Sequence, residues 1–242
     1  MLQIRRLMMG SILKREIRAY FQSPLGYVFI GTMSVFTGYY FYSYNLSVNT
    51  TDMETLFSLL FPVIMFMVPV LTMRLLSEDK RLKIDQQLFT LPLTKTGIVL
   101  GKYFSAVLIY TIAISFTMVA AVVMSFFGNV VWQEVIGNFI GLFLLGATLI
   151  SICLFVSSLT ESQVVAAVLG YVISMFLMLT DAFVYIVKND VLKALFYGAS
   201  IRKRYMPFTF GVLEFSGLVF FISTTVLFLC LTIAVLDRKR WG

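Results

Sequence analysis

Long stretches of apolar residues alternate with short polar segments along the whole chain. A helix needs about 20 mostly apolar residues to cross the hydrocarbon core of a bilayer, so each sufficiently long stretch predicts a membrane span. The second stretch contains Pro62 and Pro69, which favour a bent helix. Six stretches are long enough, and they cover residues 26–46, 55–75, 98–127, 135–158, 163–187 and 214–236.

The composition favours a membrane protein over a soluble one. Hydrophobic residues make up 60% of the 242 residues and charged residues 13%, whereas soluble domains have about 45–50% and about 25%. The absence of histidine excludes Ser-His and Cys-His catalytic pairs and histidine-based metal sites. We therefore expect one all-α polytopic membrane domain over residues 1–242, with six transmembrane helices, no metal site and no catalytic residue.

The basic residues predict how the chain lies in the membrane. Fourteen of the 19 lysines and arginines fall before the first span, in the segment between the second and third spans with its flanking span ends, and in the C-terminal tail. The other five, Lys188, Lys193, Arg202, Lys203 and Arg204, lie in the loop between the fifth and sixth spans. The positive-inside rule then places both termini in the cytoplasm. The net charge of +7 is thus an orientation signal, and we expect no nucleic-acid partner.

The first 25 residues form a basic segment with apolar positions at helical spacing. This pattern predicts an amphipathic helix on the inner membrane surface that ends at Ser23 and Pro24. A basic topology anchor without a further role is the alternative. The residues expected to mark the interfacial helix are Arg15, Glu16, Arg18 and Tyr20.

The segment 76–96 between the second and third spans is a second candidate helix in the cytoplasm. Ser77 is predicted to cap it, Glu78 and Asp79 suit the positive end of the helix dipole, and Pro92 stops it. Its apolar residues form two stripes, which must lie on the membrane or contact another protein. A solvated connector is the alternative. The stripes are Leu82, Gln86 and Phe89, and Ile84, Leu88 and Leu91.

Energy-coupling groups are scarce in the chain itself. The nearest match to a phosphate loop, Gly97 to Tyr103, has the wrong spacing and no hydroxyl for magnesium. Asp181 is the one carboxylate well within a span, and with Thr37 and Ser115 it is a candidate for a transport pathway. The hydroxyls equally suit bonds to their own helix backbone. So few intramembrane charges disfavour an ion-driven carrier.

Glycines at a four-residue spacing mark a close helix contact. Gly137 and Gly141 form a GxxxG pattern, which lets two helices approach closely. We interpret this pair as packing within the bundle, with a subunit interface as the alternative.

Three motifs in order along the chain carry a family resemblance. The first is KREIRAYFQSPLGY, from Lys14 to Tyr27. The second runs from Arg74 to Pro92 and is followed by IVLGKYF at 98–104. The third joins Tyr205–Val212 to the tail Leu236–Trp241. With these motifs the chain resembles the permease subunit of bacterial ATP-binding-cassette transporters of the exporter type, and most of all the gliding-motility and nitrous-oxide-reductase-accessory permeases.

The resemblance implies a division of labour between subunits. Two permease copies, identical or different, would form a pathway in the cytoplasmic (inner) membrane, and ATP and Mg²⁺ would bind two separate ATPase subunits. Short helices would form in the outer loop 188–211. The segment 76–96 would be the coupling helix seated in the ATPase, through Ser77, Glu78, Asp79, Lys80, Arg81, Lys83, Asp85, Gln86, Leu88, Phe89, Leu91 and Pro92.

One departure from the family pattern affects the coupling helix. The family often has Arg-Ser-Gly-Thr at its start, whereas here Arg81 is followed by Leu82, Lys83 and Ile84. Without the glycine, the sequence predicts a continuous helix. Two other functions stay open: a secondary carrier or channel without an ATPase, and a membrane anchor that recruits an ATPase for envelope remodelling or motility.

Overall fold

The computed structural model describes residues 2–82, 95–186, 198, 200–212 and 214–238. The predicted all-α class is confirmed for these residues, among which no strand occurs. A π-helical segment, Phe41–Leu46, directly continues the second α-helix. The α-helices are α1 (Leu2–Gln22), α2 (Pro24–Tyr40), α3 (Glu54–Thr72), α4 (Ser77–Arg81), α5 (Lys95–Ser125), α6 (Trp132–Leu159), α7 (Gln163–Ile186), α8 (Ile201–Thr209) and α9 (Phe215–Arg238).

Five helical runs in the described part of the chain are long and apolar enough to cross a membrane. They match the second to sixth predicted spans, and the first of them joins α3 to α4. The protein is therefore a multi-pass membrane protein. The runs are Glu54–Arg81, Lys95–Ser125, Trp132–Leu159, Gln163–Ala182 and Phe215–Asp237.

The predicted first span, 26–46, corresponds to α2 and the π-helical segment. Pro24 begins α2, where its missing N–H is no loss because the first amides of a helix have no partner within it. With 17 residues, α2 alone is shorter than the about 20 that a crossing needs. A count of six spans therefore stays a prediction.

The connection after the π-helical segment is closed by Asn45. Its side-chain Nδ2 donates to the backbone carbonyl of Asp52 at 2.6 Å. The backbone carbonyl of Asn45 accepts from the Thr50 amide at 3.1 Å. The turn between α2 and α3 is thus held by backbone groups on both sides of it.

Two sets of contacts define the ends of the bundle. At one end, Lys95 at the start of α5 pairs with Asp237 near the end of α9, and α4 contacts α6 and α7. At the other end, Asn138 near the start of α6 donates to the Thr209 carbonyl of α8 at 2.9 Å. We call these the α4 end and the α8 end. The long helices from α3 to α9 run between these two ends.

Helix α6 lies at the centre and packs against α3, α5, α7, α8 and α9. Its contact with α5 depends on the missing side chain of Gly146, because an added Cβ would overlap the ring of Tyr110. The Tyr110 hydroxyl donates to the Leu142 carbonyl at 2.7 Å. Because this buried tyrosine has a partner for its hydroxyl, α5 and α6 pack closely without a lost hydrogen bond.

The glycine pair of α6 faces α8. A Cβ at Gly141 would lie 2.7 Å from the Cβ of Phe208, and one at Gly137 would lie 2.7 Å from the Cα of Gly211. Gly211 has a φ of +70°, a conformation that suits glycine where α8 ends. The pair therefore serves packing within the chain, as interpreted from the sequence. Helix α8 also falls inside the predicted outer loop 188–211.

Candidate functional site

Lys102 is a buried cation at the α4 end of α5. Its side chain is 2% exposed, and its Nζ lies 2.8 Å from Asp79 Oδ2 on α4 and 3.3 Å from Glu16 Oε1 on α1. An ammonium removed from water is tolerated only when opposite charges compensate it. These three residues, the Lys102 triad, therefore join α1, α4 and α5 through one buried ion cluster.

Arg15 adds a second cation to the triad. Its Nη2 lies 2.7 Å from Glu16 Oε1. Burial raises the pKa of Glu16, but Lys102 and Arg15 outweigh that effect, so the net pKa lies below the usual 4.5. Glu16 is therefore a stable carboxylate at neutral pH and holds α1 against α5.

Further contacts tie α1 to the end of α3. The Tyr20 hydroxyl donates to the Leu71 carbonyl at 3.0 Å, and burial raises the pKa of Tyr20, so the group stays a donor. Arg74 donates to Ser23 Oγ at 2.8 Å and pairs with Glu78 at 2.8 Å. A cavity of about 250 Å³ lies among these groups and the triad. The α4 end is thus a charged junction around a cavity large enough for several water molecules.

Helix α4 is capped by another helix and not by its own residue. The Oγ of Ser157 on α6 accepts from the backbone amides of Leu76 at 3.2 Å and Ser77 at 3.1 Å. The prediction that Ser77 caps α4 is wrong, because its hydroxyl donates back to the Met73 carbonyl. Two free amides at the start of α4 are therefore satisfied from α6, which fixes where α4 begins.

The charges predicted to contact the ATPase point in two directions. Asp79 and Lys80 are buried: the first pairs with Lys102, and the second donates to the Ser158 carbonyl on α6. Arg81 is exposed, as is Leu82, whose side chain is 54% accessible. The buried side chains of α4 thus anchor this helix to the bundle, whereas its C-terminal end faces outward.

The predicted continuous coupling helix is interrupted after Arg81. Helix α4 ends at Arg81, and Leu82 lies in a turn with φ −88° and ψ 2°. The remaining predicted coupling residues lie outside the described residues; they are Lys83, Asp85, Gln86, Leu88, Phe89, Leu91 and Pro92.

The residues predicted for the N-terminal interfacial helix divide between two faces of α1. Glu16 and Tyr20 are buried against the bundle, whereas Arg15 and Arg18 are exposed. Ile12 lies on the buried face and contacts α5 at Gly101, where a Cβ would come 2.7 Å from Ile12 Cγ2. An α-helix runs over Leu2–Gln22; its amphipathic character and its place on the membrane surface stay predictions.

Each of the predicted pathway residues has a hydrogen-bond partner of its own. Thr37 and Ser115 each donate to the carbonyl four residues earlier in their own helix, at 2.9 and 2.7 Å. Asp181 accepts from the hydroxyl of Ser200, which caps α8 through the Lys203 amide at 3.1 Å. In this arrangement the hydroxyls satisfy helix backbone, and Asp181 positions the start of α8.

Two residues of the site had no role in the sequence-based prediction. The sequence marks Lys102 only as a basic residue within a family motif, although a lysine followed by the long apolar run of a span demands a counter-ion. Ser157 gave no signal, because a serine near the end of an apolar helix usually bonds to its own backbone. Only the fold shows that it caps α4.

The protein family of the chain follows from its match to a family model. The model of the ABC-2 family transporter proteins matches residues 27–236. The chain belongs to the ABC-2 transporter family. The ABC-2 protein is therefore a permease of an ABC transporter and not its catalytic unit, and the family implies an ABC ATPase as partner and a bilayer as surroundings. A comparison with curated proteins gives no match.

The matched region begins beyond α1. It contains Asp79, Lys102 and Ser157, whereas Glu16 precedes it. The junction at the α4 end therefore combines a segment inside the family region with a helix that lies before it.

Proposed function

We propose that the ABC-2 protein is the membrane-spanning permease of an ATP-driven exporter in the bacterial cytoplasmic membrane. Six spans would include α2 with its π-helical extension, and both termini would lie in the cytoplasm. Family membership and the basic residues of α1, α4 and the tail support this placement. A second permease copy would complete the pathway, as in the permeases that the chain resembles.

The Lys102 triad is the observation that carries the coupling role of α4. Asp79 attaches α4 to α5 and, through Lys102, to α1. Separating one partner from a buried ion pair costs about 3–5 kcal/mol. A displacement of α4 would thus move α1 and α5 with it, because opening the ion cluster would cost more free energy.

The outward end of α4 is where the ATPase would contact the permease. Arg81 and Leu82 are exposed and lead into the segment 83–94, which contains the apolar stripes predicted from the sequence. An apolar anchor surrounded by charges is the common composition of a protein interface. ATP and Mg²⁺ would bind the partner, whose closure around nucleotide would move α4 as a lever.

Replacing Leu88 and Phe89 with Asp tests this coupling. We expect the double variant to lose the ATPase on co-purification, or to show the ATP turnover of the ATPase subunit alone, because two carboxylates cannot enter an apolar cleft without a partner. Both quantities are measured on the complex reconstituted in vesicles. Val48→Asp is the control, since Val48 is an exposed apolar residue in the turn between α2 and α3.

The same vesicles separate the proposal from its alternatives. If the L88D/F89D complex assembles and turns over ATP like the unsubstituted one, the coupling assignment is wrong. Transport driven by an ion gradient without the ATPase would indicate a secondary carrier. Recruitment of the ATPase with no transported molecule would indicate an anchor for envelope remodelling or motility.

A further inference from the structure

An apolar groove lies beside the point where α1 crosses α5. It has a volume of about 390 Å³ and is lined by Leu13, Gly101, Phe104, Val107 and Leu108. Gly101 lets α1 touch α5 closely at Ile12, and the groove opens beside this contact. Phe104 and Leu108 are exposed, so the groove faces the surroundings of the bundle and not its core.

Two exposed cations accompany the groove on α1. Lys14 directly follows Leu13, and Arg18 lies one helical turn beyond Lys14. Neither forms an ion pair within the described part of the chain, whereas the neighbouring Arg15 is paired with Glu16. By helical register both cations lie on the face of α1 opposite its buried face, and Lys14 is about 100° around the helix axis from Leu13, which lines the groove. The apolar groove and two exposed positive charges thus lie on adjacent faces of one helix, within reach of long, flexible side chains.

We propose that this groove binds an anionic phospholipid, with an acyl chain along Leu13, Phe104 and Leu108 and the phosphate against Lys14 and Arg18. The inference rests on the proposed location of α1 at the cytoplasmic membrane surface. Basic residues on a surface helix attract anionic headgroups, and basic pockets between membrane helices bind them specifically. The long stems of lysine and arginine lie along apolar surface while their charged ends reach the headgroup.

The lipid would hold α1 at the junction from its outer side. The Lys102 triad fixes the inner face of α1 through Glu16, and the groove lies on the neighbouring flank. A bound lipid would therefore fill the space between α1 and α5 that the protein leaves open, and it would make the position of α1 sensitive to membrane composition.

Lipid retention measured by native mass spectrometry tests the proposal. The ABC-2 protein, purified with its ATPase, is exposed to an equal mixture of phosphatidylglycerol and phosphatidylethanolamine. We expect preferential retention of phosphatidylglycerol. Lys14→Gln combined with Arg18→Gln should lower that retention by roughly thirtyfold, because each of the two cations contributes about fivefold near an anionic headgroup. Leu108→Trp, which fills the groove, should lower retention of both lipids.

Matched variants control for general effects of charge and bulk. Arg202→Gln removes an exposed cation at the α8 end, and Val119→Trp adds bulk to an exposed position further along α5. Neither should alter lipid retention. Equal losses from the control and the test variants would overturn the site, as would equal retention of the two lipids or an unaffected K14Q/R18Q variant.

Two further arms identify the source of the phosphate and protect the conclusion from folding defects. Displacement of phosphatidylglycerol by excess inorganic phosphate would show a soluble-anion site and overturn the lipid assignment. ATP turnover is measured for every variant: retained turnover with lost lipid supports the site. An unsubstituted complex that fails to turn over ATP but retains phosphatidylglycerol would contradict the proposed function and leave the lipid site standing.

Discussion

At the residue scale, the α4 end depends on the balance of four charges, of which three are buried and one, on Arg15, is exposed. Arg15, Glu16, Asp79 and Lys102 carry two positive and two negative charges. The cluster is neutral as a whole, so its burial is tolerable although each member alone would be costly. Removing Glu16, Asp79 or Lys102 would leave an uncompensated charge on a largely buried partner.

Lys102→Met should therefore be strongly destabilising. We expect the free energy of unfolding to fall by about 3–5 kcal/mol, because two carboxylates lose their shared ammonium. Combining Lys102→Met with Asp79→Asn should recover part of the loss, since one of the orphaned charges is removed. The measurement is denaturant unfolding in mild detergent.

Lys95→Met is the matched control for this prediction. Lys95 lies on the same helix, but its partner Asp237 is more than half exposed, and a pair of that kind contributes about 0–1 kcal/mol. Equal losses for Lys95→Met and Lys102→Met would show that the triad adds no more than a surface ion pair.

The residue scale is also where the sequence was least informative. The neighbouring helices decide that Asp79 and Lys80 turn inward while Arg81 stays exposed. A local sequence pattern does not show which helices will lie beside α4. Lys102 and Asp79 are 23 positions apart, and Lys102 and Glu16 are 86 apart. Their pairing is a product of the fold.

At the element scale, the long helices could be predicted with approximate bounds, whereas the short ones could be assigned only to a segment and not to their bounds. A run of apolar residues long enough to cross a bilayer has few other stable arrangements, because every backbone polar group must find a partner within the segment. The predicted span 55–75 thus lies close to Glu54–Thr72, and 135–158 close to Trp132–Leu159. Helix α4 has only five residues and is too short for its own propensity to fix its ends.

The contact between α6 and α8 gives an element-scale prediction. Gly141→Ala should lower the free energy of unfolding by about 1–3 kcal/mol, because the new methyl group would press on Phe208 and force α8 outward. Thermal unfolding in detergent measures the loss.

Gly38→Ala is the control for this helix contact. A Cβ at Gly38 would meet nothing within 4 Å, and alanine favours a helix interior over glycine. The Gly38 variant should be at least as stable as the unsubstituted protein. A Gly141 variant that is no less stable than the Gly38 variant would mean that α8 is not packed tightly against α6.

At the scale of the whole molecule, the distribution of apolar surface agrees with a lipid environment. The long apolar windows of α7 and α9 are only 28% and 17% buried, against 72% for α6. The outer helices thus present apolar faces where a soluble protein would present polar ones. The periphery of the bundle is suited to acyl chains or to a second membrane subunit.

Cysteine labelling tests the proposed orientation and the count of six spans. After replacement of Cys153 and Cys230, single cysteines are placed at Lys14, Val48, Arg81 and Arg202, which are all exposed. With a membrane-impermeant maleimide added outside intact cells, we expect labelling of V48C and R202C only. K14C and R81C should react after permeabilisation.

One labelling result would remove the first span. If K14C and V48C react from the same side, α2 with its π-helical segment does not cross the membrane, and the chain has five crossings with its termini on opposite sides.

The Lys102 triad also imposes an order on synthesis. The chain leaves the ribosome from its N-terminus, so Glu16 and Asp79 are already made when Lys102 emerges. The nascent lysine can be neutralised as soon as α5 enters the membrane, without waiting for α6 to α9. The Ser157 cap of α4 closes only after α6 has been translated. The ion pairs of the Lys102 triad can thus form during synthesis before the hydrogen bonds from α4 to Ser157.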